Sequence, residues 1–142
     1  MLFDQTLILA DKQAITEDAA GKDTAGNAIV IHPKGDDYST MWVAAVVDTA
    51  FTTSGSPSAA TIDVKLQTAA ASDSAFSSPV DLETRKINIA TAKKGDVIAF
   101  RLPLGLQEHV RVYFDVTLTG GTTPAITAGK LTVGLTDGIW AK

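Results

Sequence analysis

The chain has 142 residues, with 12 Lys and Arg against 16 Asp and Glu, a formal net charge of -4, two His and no Cys. Such a length is most simply one domain, residues 1–142, able to hide roughly 68 to 70% of the surface its unfolded chain would expose. Without cysteine there is no disulfide framework, thiolate nucleophile or thiolate metal site, and the acidic balance argues against a surface built to neutralise phosphates.

Met1–Ala10 is apolar in clumps, with Leu2, Phe3, Leu7, Ile8 and Leu9 around Asp4, Gln5 and Thr6. Residues 1–20 read as either an N-terminal arm or an edge strand. No basic first region or small-residue cleavage pattern marks a secretory leader, and no run approaches the roughly 20 apolar residues of a membrane-spanning helix. Gly21–Asn27 has the Gly, Asp and Asn content of a loop. Ile29–Ile31 is a short strand stopped by Pro33, and Lys34–Tyr38 a turn. Met41–Val47 is a nearly continuous apolar run, suited to an interior strand covered on both faces with Trp42 in the core.

Thr52–Ser58 reads as a flexible connector. In Thr61–Thr68, Ile62, Val64 and Leu66 alternate with Asp63, Lys65 and Gln67, which is the period of a half-buried strand. Ala69–Ser78 is too rich in serine for a long helix and is expected to give one turn around Phe76 before Pro79. Val80–Glu83 and Ile87–Ile89 are candidate short strands, and Asp96–Leu102 is a further extended stretch ending at Pro103.

His109–Thr119 carries the clearest pattern, with Val110, Val112, Phe114, Val116 and Leu118 alternating against His109, Arg111, Tyr113, Asp115, Thr117 and Thr119. One face of such a strand lies on a core while the other meets water or a partner. Gly120–Thr127 reads as a second flexible loop before a last strand from about Lys130 to Thr136. The turn pair Asp137-Gly138 would fold Ile139 and Trp140 back onto the domain. The fold class is therefore all-β, an antiparallel β-sandwich, a jelly roll of about eight strands.

No catalytic, cofactor or metal site is expected. His32 and His109 are too few for a jelly-roll metal centre, His32 standing beside Pro33 and His109 opening an exposed strand face. The carboxylate pairs Asp36 and Asp37, or Asp81 and Glu83, could line a glycosidase cleft, yet they sit among turn formers with no aromatic-rich groove. There is no G-x-S-x-G elbow, and Asp36-Asp37 lacks calcium-loop spacing. Gly120-Gly121 precedes no helix that could receive a phosphate. Trp140 suits a C-terminal clamp or an interface. Arg101 and Arg111 lie between apolar residues on extended segments, where arginine serves as a solvent-face charge or an interface anchor.

Three segments, LQTAAASDSAFSSPVDL (Leu66–Leu82), RLPLGLQEHVRVYFDV (Arg101–Val116) and TAGKLTVGL (Thr127–Leu135), together with the opening MLFDQTLILADKQAIT, occur in an order and spacing that resembles the jelly-roll capsid cement, or decoration, proteins of short-tailed bacteriophages. Gly21–Tyr38 departs from that pattern by being longer and more polar. The resemblance implies a non-enzymatic virion protein made in the host cytoplasm and bound to the outer capsid surface. Its partners would be the major capsid protein and itself, as a homo-dimer or homo-trimer, with no direct nucleic acid or membrane contact. On this reading Leu2, Phe3, Leu7, Ile8, Leu9, Arg101, Arg111, Tyr113 and Trp140 are the interface candidates. Linking several weak contacts through an oligomer raises avidity by effective concentration. The competing expectations are a carbohydrate-binding jelly-roll module, using Trp42 or Trp140, and a head-completion or tail structural protein.

Overall fold

A computed structural model describes residues 8–22, 41–103 and 105–136. The expectations for Leu2, Phe3, Leu7, Ile29–Ile31, His32, Lys34–Tyr38, Asp137-Gly138 and Trp140 lie outside the described residues.

Apolar alternation turns directly into strands. Those described are β1 Ile8–Ala14, β2 Ala19–Ala20, β3 Trp42–Ser54, β4 Ala59–Ala69, β5 Val80–Asn88, β6 Val97–Arg101, β7 His109–Thr119 and β8 Ala125–Thr136. All described pairings are antiparallel. They make two four-stranded sheets, β1-β8-β3-β6 and β2-β7-β4-β5.

The two orders have one origin. β1 pairs β8, β2 pairs β7, β3 pairs β6 and β4 pairs β5, as in a long ribbon doubled back on itself. Rolling that ribbon brings β8 beside β3 and β7 beside β4, which closes two sheets into a jelly roll. The core lies between them. Val43, Ala45, Val47, Leu131, Val133 and Leu135 from one sheet meet Ile62, Val64, Leu66, Val110, Val112 and Phe114 from the other. Phe114, Ile62, Leu66 and Leu131 are fully buried, and each stabilises the fold by roughly 1.5 to 3 kcal/mol through apolar area removed from water.

Several elements differ from the sequence reading for local reasons. β3 runs on to Ser54, and β8 begins at Ala125, because Thr52, Thr53 and Ser54 pair with Ala128, Ile126 and Ala125. Residues of loop composition are thus held as strand by each other's backbone. Val80–Glu83 and Ile87–Ile89 join into the single β5, an edge strand whose polar middle Thr84-Arg85-Lys86 is tolerated because one edge and one face meet water. The turn expected around Phe76 is closed by Phe76 N donating to Asp73 O at 3.1 Å, with Phe76 itself at φ 55. Trp42 is half-buried rather than fully in the core, because it begins its strand and turns away from the interior side of Val43. His109 is buried, beneath the same Phe76 segment.

Candidate interaction surface

The inward commitment of Val110, Val112 and Phe114 fixes what β7 turns outward. Arg111, Tyr113 and Asp115 must project from the opposite face of the second sheet. Register then chooses their neighbours: Gln67 lies opposite Arg111, Lys65 opposite Tyr113 and Asp63 opposite Asp115.

On the other side of β4, a bulge decides which carboxylate joins them. Leu66 pairs with Glu83 but Gln67 pairs with Asp81, so Leu82 is the extra residue on β5. Asp81 consequently shares the face of Gln67, whereas Glu83 shares that of Leu66. In a regular strand the two would point the same way. Instead Glu83 Oε1 pairs with Arg85 Nη1 at 2.6 Å, and the Arg85 guanidinium lies 5.1 Å from the Phe100 ring centroid, bridging β5 and β6. Asp81 belongs to a different network, and the pair is not a cleft.

That network runs across three strands. Arg111 Nε donates to Gln67 Oε1 at 2.8 Å, and Gln67 Nε2 donates to Asp81 Oδ1 at 2.8 Å. Lys65 Nζ sits 3.1 Å from Asp115 Oδ2 and 3.8 Å from Asp81 Oδ2. The bond to Asp115 holds the Lys65 ammonium above its usual pKa, against a smaller lowering by burial. Lys86 Nζ is 3.7 Å from Asp63 at the margin.

A short loop completes the surface. Asp73 accepts from the Ser77 and Ser78 amides at 2.7 and 2.9 Å, an Asx-type closure that carries Phe76 over the sheet. These amides, Ser78 first, hold the Asp73 carboxyl below its ordinary pKa. The Arg111 guanidinium carbon is then 4.4 Å from the Phe76 ring centroid and 5.3 Å from that of Tyr113. The Phe76 and His109 rings are 6.2 Å apart. Burial pushes Arg111 below the usual guanidinium value, and it remains a cation at neutral pH.

This arrangement presents a cation of fixed orientation on the outward face of the second sheet. Two ring contacts and one hydrogen bond lock the Arg111 rotamer before any partner arrives, which reduces the entropy lost on binding. Among the described residues the terminal nitrogens of Arg111 make no hydrogen bond, leaving their fork for an acceptor. Among the described residues no three His, Asp or Glu side chains converge as metal ligands do.

The other sequence-derived candidates are distributed elsewhere. Arg101 ends β6 on the first sheet, exposed, with its guanidinium carbon 5.6 Å from the Trp42 ring centroid. Arg101 and Arg111 thus serve different sheets. Ile8 and Leu9 are buried at 8% and 0% exposure in the domain's own sandwich, on a strand paired with β8. The sequence had Gln67 only as an outward residue of its strand, Asp81 only as a possible cleft partner of Glu83, and Phe76 only as the centre of a turn; none was placed beside Arg111. The spacing Asp73 to Ser77-Ser78 before Pro79 was the available sign that this segment closes on itself rather than starting a helix.

No curated protein matches this sequence. Residues 9–135, from β1 through nearly all of β8, match the Bbp16 family, and the chain belongs to that family.

Proposed function

We propose that this chain is a structural virion protein, a capsid cement or decoration protein. It binds the outer surface of a phage head as a homo-dimer or homo-trimer and strengthens contacts between major capsid subunits. Membership of the Bbp16 family, a phage-type family, supports a virion role. The observation that carries the contact function is the locked Arg111 on the outward face of the second sheet, stacked against Phe76 and Tyr113 and tied through Gln67 to Asp81. A surface whose side chains are fixed in advance suits a protein whose task is to hold other proteins, because little order has to be imposed at the moment of contact. Arginine and tyrosine are also among the residues that dominate interface energetics.

The test is stoichiometry and accessibility in purified particles. The chain should be present in a constant ratio to the major capsid protein, set by the symmetry of the shell, and intact heads should bind antibodies raised against it. Its absence from particles, or a few copies at one vertex only, would contradict the proposal.

A further inference from the structure

Among the described residues, β1 and β6 bound one sheet and β2 and β5 the other. Three of these edges are poor templates for another strand. β2 has two residues, β6 has five and no acid to set against Arg101, and β1 is interrupted by two register shifts with Lys12 at φ 43. β5 has nine residues, and its one register shift lies at Leu82.

Backbone alternation decides which groups of β5 face away from β4. Ile89 N donates to Ala60 O at 3.0 Å. Counting back by twos puts Ile87, Arg85 and Glu83 in the positions bonded to β4. The N–H and C=O of Thr84 and Lys86 therefore point to the open edge. At Thr84 they are met by the side chains of its own chain neighbours: Thr84 N donates to Glu83 Oε1 at 3.2 Å, and Arg85 Nη1 donates to Thr84 O at 3.1 Å. Such local bonds can be exchanged for the backbone of an added strand.

The order of charges then selects which strand. With a two-fold axis at Thr84, an antiparallel copy of β5 sets Thr84 against Thr84, Glu83 against Arg85, Leu82 against Lys86, Asp81 against Ile87 and Val80 against Asn88. No like charges are opposed. An axis at Glu83, Arg85 or Lys86 sets that residue against itself, and an axis at Leu82 sets Asp81 against Glu83, each of which is destabilising. Charges that deter a foreign strand thus match an inverted copy of the same strand, as a two-fold interface requires. Val80, a large apolar side chain left exposed, lies on this strand as well.

We propose that two copies of this chain join through β5, antiparallel about Thr84, so that their second sheets become one continuous sheet. The assignment takes the homo-dimer from the cement reading and says where its halves meet. The joined sheet carries Arg111 twice on one outward face, with five strand spacings, about 24 Å, between the two β7 strands. Two identical contact surfaces on one sheet can engage two capsid subunits at once, which raises avidity.

The experiment is sedimentation equilibrium of the full chain over a range of concentrations, for the parent and two variants. Proline at an outward-facing edge position removes an N–H without touching a bond to the neighbouring strand. Thr84→Pro should therefore stay folded by circular dichroism and self-associate roughly tenfold or more weakly. The chain has no cysteine, and a hydrogen-bonded antiparallel pair holds its Cα atoms about 5.5 Å apart, within disulfide reach. Mild oxidation should cross-link Thr84→Cys into dimers and leave Thr117→Cys, exposed on β7, uncross-linked. A monomeric parent, or a dimer that Thr84→Cys does not cross-link, overturns the assignment. Association of Glu83→Ala without association of the parent also overturns it, since the Glu83 and Arg85 side chains would then be a seal on the edge. Binding to heads is read separately. If a monomeric parent binds heads, the β5 contact falls and the cement reading stands; if the chain dimerises through β5 and leaves heads bare, the cement reading falls and the β5 contact stands.

Discussion

Gly129→Ala tests the packing of β8 against Phe51 of β3. Gly129 has φ 138, and a Cβ built there lies 2.5 Å from Phe51 Cε1 and Cγ and nearer still to Cδ1. Phe51 is only 8% exposed, so its ring has little room to withdraw. Forcing a methyl into that space costs about 1 to 3 kcal/mol, and the backbone conformation adds on the order of 1 to 2 kcal/mol for a non-glycine residue. With a total near 3 kcal/mol and about 3 to 4 °C per kcal/mol at this chain length, Tm should fall by roughly 10 °C. Phe51→Ala alone should cost about 3 kcal/mol through the cavity it leaves. In the double variant the new methyl occupies vacated space, so the combined loss should be about 1 to 2 kcal/mol less than the sum of the singles. Calorimetry and urea unfolding of all four proteins supply the cycle. A normal Tm for Gly129→Ala, or strictly additive losses, would refute the assigned contact.

Three further outcomes follow from particular residues. Phe114→Ala removes a fully buried ring at the centre of β7 and should lower the unfolding free energy by about 3 to 5 kcal/mol in urea titrations. Asp73 has a folded pKa below its ordinary 3.8, so its contribution to loop closure is present above that ordinary value and is lost as pH falls through the folded one. Exchange protection of the Ser77 and Ser78 amides should disappear over that acidic range, and Asp73→Ala should remove it at all pH values. A double-mutant cycle on Lys65→Met and Asp115→Asn should give a coupling of only about 0.2 to 1 kcal/mol, shrinking with added salt, because both side chains are partly exposed. A larger, salt-independent coupling would mean that this pair is far better shielded from water than its exposure indicates.

Legibility of the fold followed the locality of its causes. β7 and the centre of β4 were readable because one face is committed to the core, and a period of two survives in composition. The outer half of the β3 and β8 pair was not, because Thr, Ser and Gly look like loop until each strand supplies the other's hydrogen bonds. β2 has two residues and no periodicity to detect. β5 broke into two in the sequence because an exposed edge strand has no need to alternate across Thr84-Arg85-Lys86. For the interaction surface, Arg111 and Tyr113 were visible as outward neighbours on one strand. Their partners were not, since placing Gln67 beside Arg111 depends on cross-strand register, and placing Asp81 there depends on a bulge at Leu82. Phe76 reached Arg111 through its own left-handed backbone in a loop closed by Asp73, a geometry that the expectation of one turn around Phe76 did not specify.

The central claim, that this chain holds a capsid together from outside, is tested most directly by adding purified protein to heads that lack it. Bound copies would be counted after sedimentation and the loaded heads then heated. Saturation at a ratio commensurate with the capsid lattice, with the loaded heads surviving a higher temperature than bare ones, is the predicted result. Failure to bind, or saturable binding that leaves heat resistance unchanged, would contradict it.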